Sequence, residues 1–278
     1  MSINITLFTQ NYFMKIPKIQ GSLNQSDFFI YVACDKNYFD EFAIKLVNSV
    51  KKNTSAGIHL HIFNPLDSQI DKFSQDSRVS VSYEYVKIED FTNAAENLQK
   101  LSNVENEKFK YERSLTAMKK GNDKNLIERV MKTYFACARF VRLRELVKNP
   151  QEIFAIDIDA VVRKEIPKPA GNYDFFIHHI SGKKSRFLAG GMYFLKNFKS
   201  VEYLDQYADI LKQNIENNHL YWSLDQDVLD KIVPNFNYGA LPMPYIDWNM
   251  SNDSYVWTAK GERKSLPIFV NESLKYSS

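Results

Sequence analysis

The residues with the clearest capacity for chemistry are Asp157 and Asp159, within the stretch 152–163 that reads E-I-F-A-I-D-I-D-A-V-V-R. A short apolar run, Ile153 to Ile156, delivers the two aspartates, and Val161 and Val162 follow them. Such a run reads as a buried strand in the middle of an α/β sheet. On a strand, residues two apart share a face and stand about 6.5–7 Å apart. Two carboxylates so placed repel each other and are costly to desolvate, so a cation is expected between them. A hard divalent ion, its shell completed by substrate phosphate, meets that need. The same residues fit a strand that exits into a polar turn with solvated aspartates, so the rest of the chain must decide.

Other polar groups are candidates for the same site. Arg139 lies on a largely apolar helical stretch, where a guanidinium needs an anionic partner or a place at the surface. Asp225 begins D-Q-D-V-L and fits a helix N-cap as readily as an active carboxylate. Gly190 and Gly191 interrupt an apolar strand, which marks a bulge or the close approach of another group, a substrate included. Residues 256–264, V-W-T-A-K-G-E-R-K, place two lysines and an arginine around a flexible glycine. That composition suits a diphosphate or a solvated basic turn. His59 and His61 share the polar face of one strand, either exposed or as a metal pair. His178 and His179 are adjacent and point to opposite faces of a strand, so they cannot form one pincer; packing or hydrogen bonding is their expected role, with one of them reaching a metal as the alternative.

Positioning these groups requires an open α/β sheet. Strands are expected over 28–33, 58–63, 79–86, 173–180 and 187–195, beside the one that carries the aspartates. Residues 34–37 read as a turn. Phe39, Phe42, Ala43, Leu46, Val47 and Val50 keep helical spacing, and further helices are expected over 126–146 and 202–217. Strand, helix, strand, strand is the start of an open α/β sheet. The polar start, 1–26, reads as a loosely attached arm, and 27–278 as one domain. A charged, Lys- and Asn-rich stretch at about 89–128 reads as a helical insertion with a solvated face.

The whole-chain properties exclude several classes. At 278 residues the chain can bury a sizeable core, and its formal charge of +3 gives no argument for nucleic acid. Cys34 and Cys137 sit in apolar runs and make no disulfide framework, so a reduced, cytoplasmic setting is expected. No apolar run is long enough for a membrane span, and the first ten residues lack the pattern of a secretion signal. Phosphate-loop, dinucleotide, serine-hydrolase and Cys-x-x-Cys motifs are missing.

Four segments nevertheless stand in a familiar order: Val32-Ala33-Cys34-Asp35 with Tyr38, then Ala138-Arg139-Phe140, then Asp157-Ile158-Asp159, and late in the chain Asp225-Gln226. Over roughly 27–264 the chain resembles glycosyltransferases of the GT-A fold, most like the retaining family 8 type, the group of glycogenin and the lipopolysaccharide galactosyltransferases. The resemblance implies a Rossmann-like mixed sheet, mainly parallel and flanked by helices. It implies a nucleoside diphosphate sugar donor, UDP-sugars favoured, and a hydroxyl acceptor on a glycan, a lipid-linked saccharide or a protein. It further implies that Ala33, Asp35 and Tyr38 hold base and ribose, that Arg139 steadies the D-x-D, and that Asp157 and Asp159 bind Mn²⁺ or Mg²⁺. Asp157 would also approach the ribose, and Asp225 and Gln226 would lie beside the transferred sugar as the catalytic candidates. Gly190 and Gly191, with Ala189, stand where the family has N-x-G. Thr258, Gly261 and Lys264 stand where it has H-x-x-G-x-x-K, so threonine replaces a metal-binding histidine. Lys260 and Lys264 are then candidates for the diphosphate.

Two other readings stay open at this point. D-I-D-A-V-V also fits the signature of haloacid-dehalogenase-type phosphatases, in which Asp157 would be the nucleophile. That family carries the motif on its first strand and needs a later acidic pair, which does not occur here. The missing histidine and asparagine also suit a non-catalytic nucleotide-sugar or glycan binder on a GT-A scaffold.

Overall fold

The computed structural model describes residues 13–24, 26–101, 126–181 and 186–277. Its centre is a mixed sheet of β1 (Gln20–Gly21), β2 (Phe28–Asp35), β3 (Gly57–Phe63), β4 (Val79–Glu84), β5 (Glu152–Ile156), β7 (Phe175–Ile180), β8 (Arg186–Phe194) and β9 (Tyr238–Ala240). A smaller sheet pairs β6 (Ala160–Val162) with β10 (Val256–Thr258). The large sheet runs β1-β4-β3-β2-β5-β8-β7-β9. β4, β3, β2 and β5 are parallel neighbours, and β8 lies antiparallel between β5 and β7. β5 is thus central, and its apolar residues Ile153 to Ile156 are buried on both faces, as a strand in mid-sheet requires.

One face is covered by α4 (Thr92–Leu101), α5 (Leu126–Leu146), α6 (Phe198–Glu216) and α7 (Leu224–Ile232). The other is covered by α2 (Ile44–Asn53), together with β6 and the loop around Tyr245 and Ile246. A three-residue helix α1 (Lys36–Tyr38) and a π-helical turn, Phe39–Ala43, lead from β2 into α2. α3 (Asp67–Asp71) follows β3, and α8 (Pro267–Leu274) ends the described chain. α5 buries Val130, Tyr134, Ala138, Val141 and also Cys137, Phe140 and Leu143, so most of its circumference is packed.

Several expectations need correcting. The aspartates do not lie on a strand: β5 stops at Ile156, and Asp157 to Asp159 form the turn before β6. The turn lets both carboxylates leave the sheet edge without entering its core. Residues 34–37 are not one turn, because β2 runs on to Asp35, whose carboxylate then caps α1 by accepting from Asn37 N and Tyr38 N, both at 2.9 Å. His59 and His61 are fully buried beneath α5. Nδ1 and Nε2 of His59 meet Ser80 Oγ and Ser82 Oγ at 2.8 Å, and His61 Nδ1 meets Ser82 Oγ at 2.9 Å. Serines on β4 thus answer a polar strip that the sequence suggests is exposed. The start of the chain is tied down in its described part: β1 pairs with β4, Met14 is buried, and Arg142 donates to Pro17 O. α4 tucks Ala94, Ala95 and Leu98 against α5, while the remainder of the expected insertion, 102–125, lies outside the described residues. Among the described residues no helix is long and apolar enough to cross a membrane.

Candidate functional site

The parallel strands β2, β3 and β5 end at one edge of the sheet, and a cavity of about 490 Å³ opens there. This is where open α/β sheets bind ligands, because the chain diverges to either side of the strand ends. Each segment flagged in the sequence sends a residue into it: Ala33, Asp35 and Tyr38; Arg139; Asp157 and Asp159; Asp225 and Gln226; Lys260, Gly261 and Lys264. Gly190 also lines it, whereas Gly191 does not and instead packs toward Ile246 and His178.

Arg139 organises the acidic centre. Its Nη1 donates to Asp157 Oδ1 at 2.7 Å, and Nη2 lies 3.7 Å from Asp225 Oδ2. Burial alone would lower the affinity of this guanidinium for its proton, but Asp157 and then Asp225 outweigh that and raise it. The Tyr31 hydroxyl donates to the Arg139 carbonyl at 2.6 Å and pins the helix to β2 at this point. Arg139 Nε is buried without a hydrogen-bond partner among the described residues, an acidic or carbonyl ligand being the natural complement.

Asp225 is not an N-cap. Ser223 takes that position in left-handed backbone, φ +65°, and Asp225 falls in the first turn of α7, buried at 7 % exposure. Burial raises its carboxyl above the usual range, with Arg139 pulling the other way. The Tyr207 hydroxyl donates to the Asp225 carbonyl at 3.1 Å and fixes the turn.

Gly190 explains how Asp157 gets its place. A Cβ on Gly190 would stand 2.5 Å from Asp157 Oδ2, so only glycine leaves room for that carboxylate. The interrupted strand run is therefore the close approach of a protein group.

Asp159 is nearly enclosed, with a side chain 13 % exposed, while that of Asp157 is 46 % exposed. Burial first, and then repulsion from Asp157, push the Asp159 carboxyl up to about 6, against the pull of Lys264. Lys264 Nζ donates to Asp159 Oδ2 at 2.7 Å and to the Tyr38 hydroxyl at 3.0 Å, over the Tyr38 ring. Thr258 pairs with Ala160 across the small sheet and faces the same cavity.

The donor set fits a hard divalent ion. Asp157 and Asp159, oxygen donors from one turn, both line the cavity, and carboxylate oxygens are the ligand type such an ion takes. Among the described residues no three His, Cys, Asp or Glu side chains gather around one point, so water and substrate oxygens would fill the remaining positions.

Lys132, Ala136, His178, Trp222 and Trp248 line the cavity as well. Lys132, Ala136 and Arg139 share one face of α5 at i, i+4, i+7 spacing, a signal that charge on an otherwise apolar helix could have given. His178 lines the cavity, its ring 5.1 Å from Trp248, and burial lowers its affinity for a proton. Trp222 and Trp248 stand at the wall, with Lys260 Nζ 5.5 Å from the Trp248 ring centre. Nothing local in the sequence marks either tryptophan.

No protein-family model matches the chain, and no curated protein matches it. Solved structures do. The galactosyltransferase LgtC, determined with donor and acceptor sugar analogues, superposes with a TM-score of 0.50 at 12 % identity, covering 90 % of this chain and 96 % of LgtC. The glycosyltransferase GlyE of Streptococcus pneumoniae TIGR4 gives 0.53 at 11 % identity, covering 90 % of this chain and 61 % of GlyE. The bifunctional glycosyltransferase WbbM gives 0.51 at 14 % identity, covering 92 % and 51 %. The chain thus spans nearly all of LgtC but only about three fifths of GlyE and half of WbbM. The haloacid-dehalogenase alternative fails here, since the aspartates follow the fifth strand in chain order and not the first. The chain adopts the GT-A fold of glycosyltransferases.

Proposed function

We propose that this protein is a metal-dependent glycosyltransferase of the family 8 type, moving a sugar from a nucleoside diphosphate donor to a hydroxyl acceptor with retention. UDP-sugars are the favoured donors, and a glycan, a lipid-linked saccharide or a protein is the acceptor. One observation carries the reading: a single cavity at the strand ends of a GT-A sheet collects Asp157, Asp159, the Arg139 bridge to Asp225, and two lysines from the C-terminal segment. Such a site suits a doubly charged leaving group beside a polar reacting centre.

In this reading Tyr38, held by the Asp35 cap, presents its ring to the nucleoside. Lys260 and Lys264 offset the charge that develops on the departing diphosphate. Asp157 and Asp159 would hold Mn²⁺ or Mg²⁺, which would supply Lewis-acid stabilisation of that same charge. Arg139 holds Asp157 and Asp225 in one fixed relation, so the carboxylates do not drift apart between turnovers. Asp225 and Gln226 orient the sugar hydroxyls. The bond from the anomeric carbon to the diphosphate oxygen breaks, the acceptor oxygen bonds that carbon on the same face, and the acceptor proton passes to the leaving phosphate.

The test is turnover of a panel of UDP-, GDP- and CDP-sugars with Mn²⁺, with the product anomer assigned by NMR. Release of one nucleoside diphosphate and a product of unchanged configuration are expected. An inverted product contradicts the family 8 assignment. Nucleotide binding without transfer or hydrolysis would instead favour a non-catalytic binder, the reading to which Thr258 in the cavity lends itself.

A further inference from the structure

Lys264 sits where three separate parts of the chain meet. It lies on the short 3₁₀ turn Gly261–Ser265, its ammonium reaches Asp159 in the turn after β5, and it also reaches Tyr38 on α1. The ammonium stands by two aromatic rings, with Nζ 4.4 Å from the centre of Tyr38 and 5.2 Å from that of Phe42. Burial would lower its affinity for a proton, but Asp159 and Tyr38 raise it, so the side chain stays a cation there.

The rest of its segment is exposed and meets the body of the protein at Trp248, whose ring centre lies 5.5 Å from Lys260 Nζ and 5.9 Å from the Arg263 guanidinium carbon. Lys260, Gly261, Glu262, Arg263 and Ser265 are all exposed, and only Lys264 turns inward. Gly261 has φ +62° and nothing within 4 Å of where a Cβ would stand, so it is a free pivot at the start of the turn. Lys264 is thus the inward-turned charge of an exposed segment that lines the cavity. The point it occupies is the inner carboxylate of the aspartate pair, and beside it the tyrosine expected to meet the nucleoside.

We propose that Lys264 is a reversible latch that holds Asp159 and Tyr38 together in the nucleotide-free protein and keeps a divalent cation off Asp159. A diphosphate entering the cavity offers the ammonium a stronger anionic partner, which draws it away and frees both residues. The cation and the nucleotide then bind as a pair, each aiding the other, because the same displacement serves both. The inference rests on the nucleotide-and-metal reading above and adds an order to it: metal alone binds weakly, and metal after nucleotide binds well.

The experiment is calorimetric titration of Mn²⁺ into the whole protein, alone and with saturating UDP, GDP or CDP, for the natural sequence and for Lys264→Met. Methionine keeps an unbranched side chain and removes the charge and its hydrogen bonds to Asp159 and Tyr38. Tyr38→Phe, which deletes one hydrogen bond of the latch, serves as a second and milder variant. In the natural protein a matching nucleotide should tighten Mn²⁺ binding at least about tenfold. Lys264→Met should tighten Mn²⁺ binding to the nucleotide-free protein by about tenfold, as expected for loss of a competing charge at contact distance. It should also shrink the enhancement by nucleotide, with Tyr38→Phe intermediate. If both variants bind nucleotide yet leave nucleotide-free Mn²⁺ affinity unchanged or weaker, the latch is wrong while the site assignment stands. If neither Mn²⁺ nor any nucleotide binds the natural protein, the assignment and the latch fall together.

Discussion

At the scale of residues, the site is an arrangement of charges held by close contacts, and single atoms have separable effects. Gly190→Ala puts a methyl group against Asp157 Oδ2, a carboxylate already fixed by Arg139. The side chain can shift, so the fold should survive with nearly unchanged melting temperature. A displacement of about 1 Å at a reacting centre can cost about a hundredfold in rate, and donor turnover by this variant should fall by that order. Unchanged turnover would mean that Asp157 is not positioned for chemistry. Asp159→Asn keeps shape and removes charge; turnover should drop at least about a hundredfold while the melting temperature holds or rises, since burial opposes that charge. An active variant would remove the metal argument. The aspartate pair, Arg139 and the lysines were legible because charged residues in apolar or glycine-rich surroundings need a reason. Asp225 was ambiguous because its place depends on the left-handed backbone of Ser223, which no pattern of residue types announces. His59 and His61 misled because their partners, Ser80 and Ser82, arrive from another strand.

At the scale of elements, α5 is the beam that carries Arg139 to the site. Its helical character over 126–146 follows from apolar periodicity. What periodicity does not reveal is how the beam is anchored. Arg142, one turn beyond Arg139 and 1 % exposed, donates through Nε to the fully buried Glu84 at the end of β4, and its Nη2 donates to Pro17 O at 2.6 Å. Removing one partner of a buried pair leaves an uncompensated charge, at a cost of about 3–5 kcal/mol. Arg142→Met should therefore destabilise the protein by that amount in urea denaturation, whereas exchanging both partners for apolar residues should recover much of the loss. A single variant as stable as the natural protein would show that the pair does not anchor the helix. The anchor joins residues 58 positions apart, and charge pattern along one helix cannot find such a partner.

At the scale of the molecule, the sheet class was readable and its order was not. Strands alternating with helices point to an open α/β sheet, but the antiparallel insertion of β8 between β5 and β7 depends on pairings set by packing. The same long-range packing seals two neutral imidazoles in the interior, and this gives stability a pH dependence. Burial lowers His59 to about 3 and holds His61 well below its ordinary value. The unfolded chain takes up these protons near pH 6.5 and the folded chain does not, so stability is full above that value and is lost as pH falls below it. The slope is about 1.4 kcal/mol per pH unit for each histidine. Urea denaturation at pH 7.5 and 5.5 should show a loss of about 2–3 kcal/mol, reduced by about half in His59→Gln; an equal loss in the variant would assign it to other groups. The account as a whole rests on one claim, that the cavity at the strand ends takes a nucleoside diphosphate together with a divalent ion. The most direct measurement is a thermal-shift panel of UDP, GDP, CDP and CMP, each with and without Mn²⁺, since a ligand that binds only the folded state raises the melting temperature. The account predicts a rise for one nucleoside diphosphate, UDP foremost, that is largest with Mn²⁺ and is lost in Asp159→Asn. No rise with any nucleotide, in either condition, would contradict it.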